Sequence, residues 1–311
     1  MSRLIGACRA RVALARHRLR RALITLLPPE TIEPLAIAAW RIRSLVDAGL
    51  RAKGAERCET ARHLLAHGSW DAMQVSAGRW LEHLIDQRIY FGRLSRGREA
   101  WPDLQAVAGT LARTIGRLKA DAPGCPVIVS PFHYVSQYAN IYVIDELRAL
   151  LGLESIAVVS GVPRDLYGDD HAQIPGVRVL YTYGDDNRNG LGLRVARTLR
   201  RSGVAVLFAD VPPFTMHRFP METVSVSMFG RDARIHNGVF RLGTQFDALL
   251  LPFYLRFERG RFSAEVLDPM PLAGGGAPQR LAGQIEAALN DNYARSLVTG
   301  HPAMYAFAPG R

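Results

Sequence analysis

Apolar residues recur every three or four positions through residues 1–29, with arginines between them. This spacing gathers the apolar side chains on one side of a helix and leaves most of the arginines on the other sides. The pattern predicts a basic amphipathic helix that ends at Pro28-Pro29. Its apolar members are Leu4, Cys8, Val12, Ala15, Leu19, Ala22, Leu23 and Leu26.

Helical spacing continues from there to about residue 122. It predicts helices near 34–48, 57–67, 71–92 and 103–120. The third helix carries an apolar stripe, for which core packing is the favoured interpretation and a ligand-binding surface the alternative. The stripe consists of Met73, Ala77, Trp80, Leu81, Leu84 and Ile85.

Short apolar runs that are typical of buried strands begin after Asp121. They lie at 125–130, 155–160, 177–181, 204–210, 223–228, 248–257 and 262–267, with helical patterns near 136–152, 189–202 and 278–296. Strands that alternate with helices predict an α/β fold, with a mixed, largely parallel central sheet flanked by helices. We therefore expect a basic helix (1–28), a helical N-terminal region (29–120) and an α/β domain (121–311).

The chain is 48% apolar and 22% charged, as globular proteins are, and its net charge is +11. Residues 1–29 contain no acidic residue and seven arginines, namely Arg3, Arg9, Arg11, Arg16, Arg18, Arg20 and Arg21. The three cysteines (Cys8, Cys58 and Cys125) fit neither a disulfide framework nor a C-x-x-C motif, so we interpret them as reduced thiols in a cytosol-facing protein.

The basic helix has three interpretations. It can lie in the interface of an anionic membrane, with its arginines near the head groups. It can also be a basic helix that packs on its own domain. Nucleic-acid binding is disfavoured because residues 1–29 contain no aromatic side chain for base stacking. The arginines also interrupt any apolar run long enough for a transmembrane span or a signal peptide.

His133 is the first candidate for chemistry. It follows the first predicted strand in Ser130-Pro131-Phe132-His133, and a helix is expected from about Ser136. Ligands of open α/β sheets bind at the carboxyl ends of the strands. A neutral imidazole there could accept a proton from a substrate hydroxyl, and a structural histidine is the alternative.

Further candidates follow downstream. Asp210 closes another strand, and Phe229-Gly230-Arg231 is expected to turn a strand edge. Asn237-Gly238 could start a helix, whose free amide groups favour an anion. Pro252 lies inside a predicted strand, which implies an edge strand or a bulge.

This order of elements resembles the lipid A biosynthesis acyltransferases, a branch of the lysophospholipid acyltransferase superfamily. That family has a histidine after the first strand, an aspartate that ends a later strand, and a phenylalanine-glycine turn. A glycine-initiated helix, a strand with an internal proline and a proline-aromatic C-terminal stretch follow. The matching residues are His133, Asp210, Phe229-Gly230, Gly238, Pro252 and the tail 301–311. The resemblance covers roughly residues 120–311, and the basic N-terminal helix fits in kind.

The resemblance implies transfer of an acyl chain from an acyl carrier protein or coenzyme A thioester to a hydroxyl of a lipid or other amphipathic acceptor. The expected location is the cytoplasmic face of the bacterial inner membrane, as a peripheral protein. His133 would be the general base, without a covalent acyl-enzyme, a metal or a cofactor beyond the acyl donor. Basic residues and backbone amides would bind phosphate and the oxyanion. The expected substrate-binding residues are Arg164, Asp210, Gly230, Arg231, Asn237 and Gly238.

Tyr138 is a departure from the family. The family pairs its histidine with a carboxylate five residues on, and here that position is Tyr138. A phenol could hydrogen-bond the ring, but it would stabilise an imidazolium less than a carboxylate does. Another segment, with Asp210 as the candidate, would have to supply the charge. Without it, the alternative is a weak or inactive member of the fold that binds a lipid or an acyl carrier.

Other catalytic classes find little support. The sequence has no G-x-S-x-G nucleophile elbow, which disfavours a serine hydrolase. Gly190-Leu-Gly192 begins like a dinucleotide-binding fingerprint, but the third glycine is replaced by Val195, so a loop that leads into a helix is favoured. The scattered His217, His236 and His301 lack the spacing of metal ligands.

Overall fold

A computed structural model describes most of the chain. The described residues are 15–65, 70–95, 100–160, 176–181, 190–213, 222–299 and 304–305. The helices are α1 (15–26), α2 (Pro29–Ser44), α3 (Ala48–Leu64), α4 (Ala72–Ser95), α5 (Pro102–Asp121), α6 (Gln137–Leu150), α7 (Gly190–Ser202), α8 (Gly238–Thr244) and α9 (Ala277–Asn292). The strands are β1 (Val127–Pro131), β2 (Ile156–Ser160), β3 (Val177–Tyr181), β4 (Val204–Leu207), β5 (Thr223–Met228), β6 (Arg231–His236), β7 (Leu249–Glu258), β8 (Arg261–Val266) and β9 (Met270–Pro271).

The central sheet has the strand order β3-β2-β4-β1-β7-β8, and β9 also pairs with β7. The first five of these strands are parallel to their neighbours, whereas β8 and β9 run antiparallel to β7. Every residue of β1 and β2 is buried, as expected for strands covered on both faces. The predicted fold class, a mixed and largely parallel α/β sheet with a helical N-terminal region, is confirmed.

The helical region packs directly on the sheet domain. Helix α5 contacts α6 and β8, and α4 contacts α6 and the short 3-10 helix Tyr293–Arg295. On α4, the stripe residues Ala77, Leu81 and Ile85 are buried, which supports core packing over a ligand surface.

The predicted helix 34–48 is wrong at its end, since α2 stops at Ser44. Asp47 interrupts it, because its carboxylate accepts the Leu50 N–H (2.9 Å) and caps α3.

Of the two expectations for Pro252, the edge strand is wrong, whereas an irregularity of the bulge kind is present in the facing strand. β7 lies inside the sheet, and Pro252 is paired with Ser130 of β1. Backbone groups alternate in direction along a strand, so the position of the missing Pro252 N–H faces β8 and β9, where Leu267 donates to the Pro252 carbonyl (2.9 Å). The partner strand is interrupted there between Val266 and Met270. A proline is therefore tolerated inside the sheet without the loss of a ladder hydrogen bond.

In the described part of the chain, no helix is long and apolar enough to cross a membrane.

Candidate active site

Two neighbouring strands bring His133 and Asp210 together. β1 and β4 are parallel neighbours, and Val129 is paired with Val206. His133 and Asp210 each lie four residues beyond this pair, at the carboxyl edge of the sheet. This is the edge at which open α/β sheets bind ligands.

The Asp210 carboxylate holds His133 at two points. Oδ1 lies 2.8 Å from the ring Nδ1, and Oδ2 accepts the His133 backbone N–H at 2.6 Å. The Asp210 side chain is 2% exposed, whereas the His133 side chain is 13% exposed. A carboxylate at Nδ1 favours the tautomer with its proton on that nitrogen, which leaves Nε2 as an acceptor. The pair therefore has the arrangement of a general base and its orienting carboxylate.

The backbone around His133 is held in a tight turn. Val135 has φ +66°, a left-handed conformation that is strained for a β-branched residue. Tyr134 donates its N–H to Phe132 O (2.8 Å), and Ser136 donates to Tyr134 O (2.7 Å). Strain of this kind persists only where the surroundings impose it, and it is common at functional sites.

The segment after α9 imposes this conformation. Val135 donates its N–H to Arg295 O (2.8 Å), and Leu297 donates to His133 O (2.8 Å). The same segment is anchored by Arg57, whose guanidinium donates to Ser296 O (3.2 Å) and Thr299 O (2.9 Å). Burial lowers the pKa of Arg57 to about 10. A buried cation of the helical region thus helps to fix the turn that carries His133.

Aromatic side chains border the pair. The Phe208 ring packs on the imidazole, with 4.5 Å between ring centroids. The buried Tyr305 donates its hydroxyl to the backbone carbonyl of Asp210 (3.2 Å), and its own carbonyl accepts the N–H of Arg234 on β6 (2.9 Å). Tyr305 therefore links the β5–β6 hairpin to the strand end that supplies Asp210.

Tyr138, predicted as the partner of His133, lies in the first turn of α6. Its ring packs on Tyr90 of α4, with 5.4 Å between centroids, and its N–H donates to Asp86 Oδ1 (3.3 Å). The group at His133 Nδ1 is Asp210, not Tyr138. The carboxylate that the sequence lacks at position 138 is supplied by the end of β4.

Asp86 is a further residue of this region that sequence reasoning missed. From α4, its Oδ1 accepts the hydroxyl of Ser136, the residue that caps α6. Burial raises the pKa of Asp86 to about 7, against an ordinary value of 3.8. The only signal in the sequence is an acid next to the buried stripe of α4, since Ile85 precedes it. Such an acid usually faces solvent on a helix.

Asp86 is expected to make stability depend on pH. Its raised pKa means that the folded state favours the neutral acid, so this contribution is complete below about pH 4 and is lost as pH rises through about 7. The rise of this pKa from 3.8 to about 7 corresponds to roughly 4 kcal/mol of stability. Asp86→Asn keeps an acceptor for Ser136 without a charge. The stability of Asp86→Asn relative to the wild type should therefore increase as the pH rises from about 5 to about 8. Urea denaturation at each pH measures this difference.

The exposed Asp268→Asn is the matched control and should show no such pH-dependent difference. If the difference in the free energy of unfolding between wild type and Asp86→Asn stayed constant across this pH range, the raised pKa of Asp86 would be contradicted.

The remaining predicted residues lie at four positions along the chain. Phe229 and Gly230 form the β5–β6 hairpin turn with φ of 52° and 68°, the left-handed pair of a type I′ turn. Arg231 follows the turn, and its guanidinium contacts His63 Nε2 on α3 and not the His133–Asp210 pair. Gly238 begins α8 directly after Asn237, as predicted, and anion binding there stays a prediction. Arg164 lies outside the described residues.

Among the described residues, no cluster of three or more His, Cys, Asp and Glu side chains could hold a metal ion. No protein-family model and no curated protein matches the chain.

Proposed function

We propose that the protein is an O-acyltransferase in which His133 is the general base and Asp210 its orienting carboxylate. The acyl chain would come from a thioester of acyl carrier protein or coenzyme A. The acceptor would be a hydroxyl of a lipid or other amphipathic molecule. The observation that carries the proposal is the buried Asp210 carboxylate at 2.8 Å from Nδ1 of a partly exposed imidazole, at the carboxyl edge of the sheet.

The proposed step follows from this geometry. Nε2 of His133 takes the proton of the acceptor hydroxyl while the oxygen attacks the thioester carbonyl carbon, and the carbonyl oxygen becomes an oxyanion. The oxyanion then re-forms the carbonyl, the carbon–sulfur bond breaks, and the leaving thiolate takes the proton from the imidazolium. The products are an ester and a free thiol. Asp210 stabilises the imidazolium between the two proton transfers, as the aspartate of a hydrolase triad does.

A direct attack requires no nucleophilic side chain of the protein. The described free thiols are Cys58 on α3 and Cys125. Cys125 precedes β1 and so lies at the amino edge of the sheet, opposite His133. Together with the absence of a G-x-S-x-G motif, this supports transfer without a covalent acyl-enzyme.

The non-catalytic alternative rested on the missing carboxylate at position 138. Asp210 reaches His133 from the end of a different strand. The negative charge that is missing at position 138 is therefore present beside the imidazole. A protein that only bound a lipid or an acyl carrier would have no need of an oriented imidazole. The geometry therefore favours catalysis over the binding-protein hypothesis.

The test is acyl transfer from acyl carrier protein or coenzyme A thioesters to amphipathic hydroxyl acceptors. His133→Ala should lower the turnover rate at least about 100-fold, the lower range of general-base contributions. Cys125→Ser, which keeps a donor for the Asp247 carbonyl, should retain the wild-type rate. Equal product from wild type and His133→Ala would refute the role of His133, and loss of activity in Cys125→Ser would indicate a thiol nucleophile.

We also propose that α1 holds the enzyme at an anionic membrane surface, at the cytoplasmic face of the inner membrane. Leu19, Leu23 and Leu26 are 62%, 58% and 67% exposed. At 100° per residue they form one stripe, and the buried Ile24 and Thr25 lie on the opposite side of the helix. The helix thus packs on the protein with one face and presents leucines and arginines outward, as interfacial helices do.

This location can be tested without removing α1. The triple variant Leu19→Ser, Leu23→Ser, Leu26→Ser should bind anionic vesicles at least about tenfold more weakly, because each exposed leucine contributes a kilocalorie or more on burial. Raising the salt concentration should weaken the binding of the wild type, since the arginines act through screened charges. Vesicle binding that is unchanged in the triple variant would contradict the role of α1.

A further inference from the structure

The corner between α2 and α3 carries the most exposed large apolar side chains of the described chain. Ile42, Leu45 and Val46 are 70%, 79% and 87% exposed. We call these three residues the apolar corner. Single exposed apolar residues are ordinary, but a contiguous group marks an interaction surface.

The apolar corner is a tightly hydrogen-bonded structure. Leu45 donates its N–H to Ile42 O (3.3 Å), and Val46 donates to Arg43 O (3.2 Å). Arg51 donates from Nη1 to the carbonyl of Leu45 (3.2 Å). Ile32, Ala36 and Ser44 on the other faces of α2 are buried, so the helix is packed on one side while the apolar corner projects at its end. Its exposure is therefore built into the fold.

Cations surround the apolar corner. Arg41, Arg43 and Arg51 are exposed next to it, and Arg43 also packs over Trp80. The neighbouring carboxylate, Asp47, accepts the Leu50 N–H as the cap of α3. The local charge is therefore positive around an apolar centre, which is the pattern that anionic bilayer interfaces attract.

We propose that the apolar corner is a second contact with an anionic lipid bilayer, separate from α1. This inference deepens the membrane location of the proposed function and does not depend on acyl transfer. Both α1 and α2 pack on α4, where Arg20 contacts His83 and Arg43 contacts Trp80. Two insertion points that both pack on α4 would bind more tightly than either alone and would fix the orientation of the protein on the bilayer.

A bilayer is favoured over a second copy of the chain because of charge. A symmetric contact through the apolar corner would bring Arg41, Arg43 and Arg51 of two copies together, and like charges at an interface are unfavourable. Anionic head groups would instead be attracted to the same arginines.

The experiment compares two triple variants of the full chain. Ile42→Ser, Leu45→Ser, Val46→Ser removes the apolar corner and leaves α1 intact. Leu150→Ser, Val179→Ser, Leu193→Ser removes three exposed apolar residues elsewhere and is the matched control. Binding is measured by co-sedimentation with vesicles of phosphatidylglycerol and phosphatidylcholine, and folding by circular dichroism.

The corner variant should bind phosphatidylglycerol vesicles at least about tenfold more weakly, because exposed apolar area contributes to insertion. The control variant should bind as the wild type does, and both should keep the wild-type circular dichroism spectrum. Wild-type affinity in the corner variant would overturn the proposal. A wild-type dimer that the corner substitutions dissociate would overturn it in favour of self-association. Loss of acyl transfer alone affects only the proposed function, since vesicle binding is measured without substrate.

Discussion

Asp210→Asn should lower the rate of acyl transfer by roughly three to four orders of magnitude. Asparagine can present its amide N–H to Nδ1, which would place the imidazole proton on Nε2 and remove the acceptor that the hydroxyl needs. It also removes the charge that stabilises the imidazolium. Because the Asp210 side chain is only 2% exposed, it does not touch a substrate, so kcat should fall while the KM for the acceptor changes little.

Steady-state kinetics of the purified variant tests this prediction. The exposed Asp268→Asn makes the same chemical change away from the site and should retain the wild-type rate. A variant at Asp210 with near-wild-type kcat would show that the carboxylate has no catalytic function. A rise in KM at constant kcat would assign Asp210 to substrate binding, the role that the sequence resemblance implied.

Arg57→Met should lower the free energy of unfolding by roughly 3–5 kcal/mol, because buried carbonyls would lose a charged donor. The Arg57 guanidinium donates to Val75 O and Thr299 O at 2.9 Å and to Ser296 O at 3.2 Å. Methionine has a similar length but no donor. The loss would also loosen the segment whose Arg295 and Leu297 backbone groups hold the His133 turn, so kcat should fall in the fraction that remains folded.

Urea denaturation measures the change in stability. The control is Arg62→Met on the same helix, whose side chain is 65% exposed and paired with Glu59 at the surface. Surface pairs of this kind contribute little, so the control should unfold as the wild type does. Similar midpoints for Arg57→Met and the wild type would contradict the anchoring role of Arg57.

Local sequence patterns determined most of the secondary structure. Runs such as 125–130 and 155–160 are almost wholly apolar, and strands of that kind are typically buried on both faces of a sheet. The three- and four-residue spacing predicted the leucine stripe of α1, because the stripe depends only on helix geometry. Its exposure was decided by packing. His133 could be identified as a candidate because a strand and then a helix flank it in the chain.

The tertiary structure decided which strand ends meet. Both His133 and Asp210 follow buried strands, but the sequence does not state that β4 lies beside β1, with β2 beyond it. That order is a consequence of long-range packing. Of the two roles expected for Asp210, substrate binding and supply of the charge beside His133, it favours the second, since the carboxylate lies at His133 Nδ1. The acid missing at position 138 therefore has a replacement that lies 77 residues after His133 in the chain.

The same distinction applies to Asp86, Arg57 and Pro252. Local spacing cannot show that Asp86 of α4 reaches the first turn of α6, or that Arg57 of α3 reaches the segment after α9. It cannot show that the strand beside Pro252 is interrupted. The sequence alone determined the elements and the side chains that each one presents, because these follow from backbone periodicity. Only the packing of distant elements decided which of those side chains share a site.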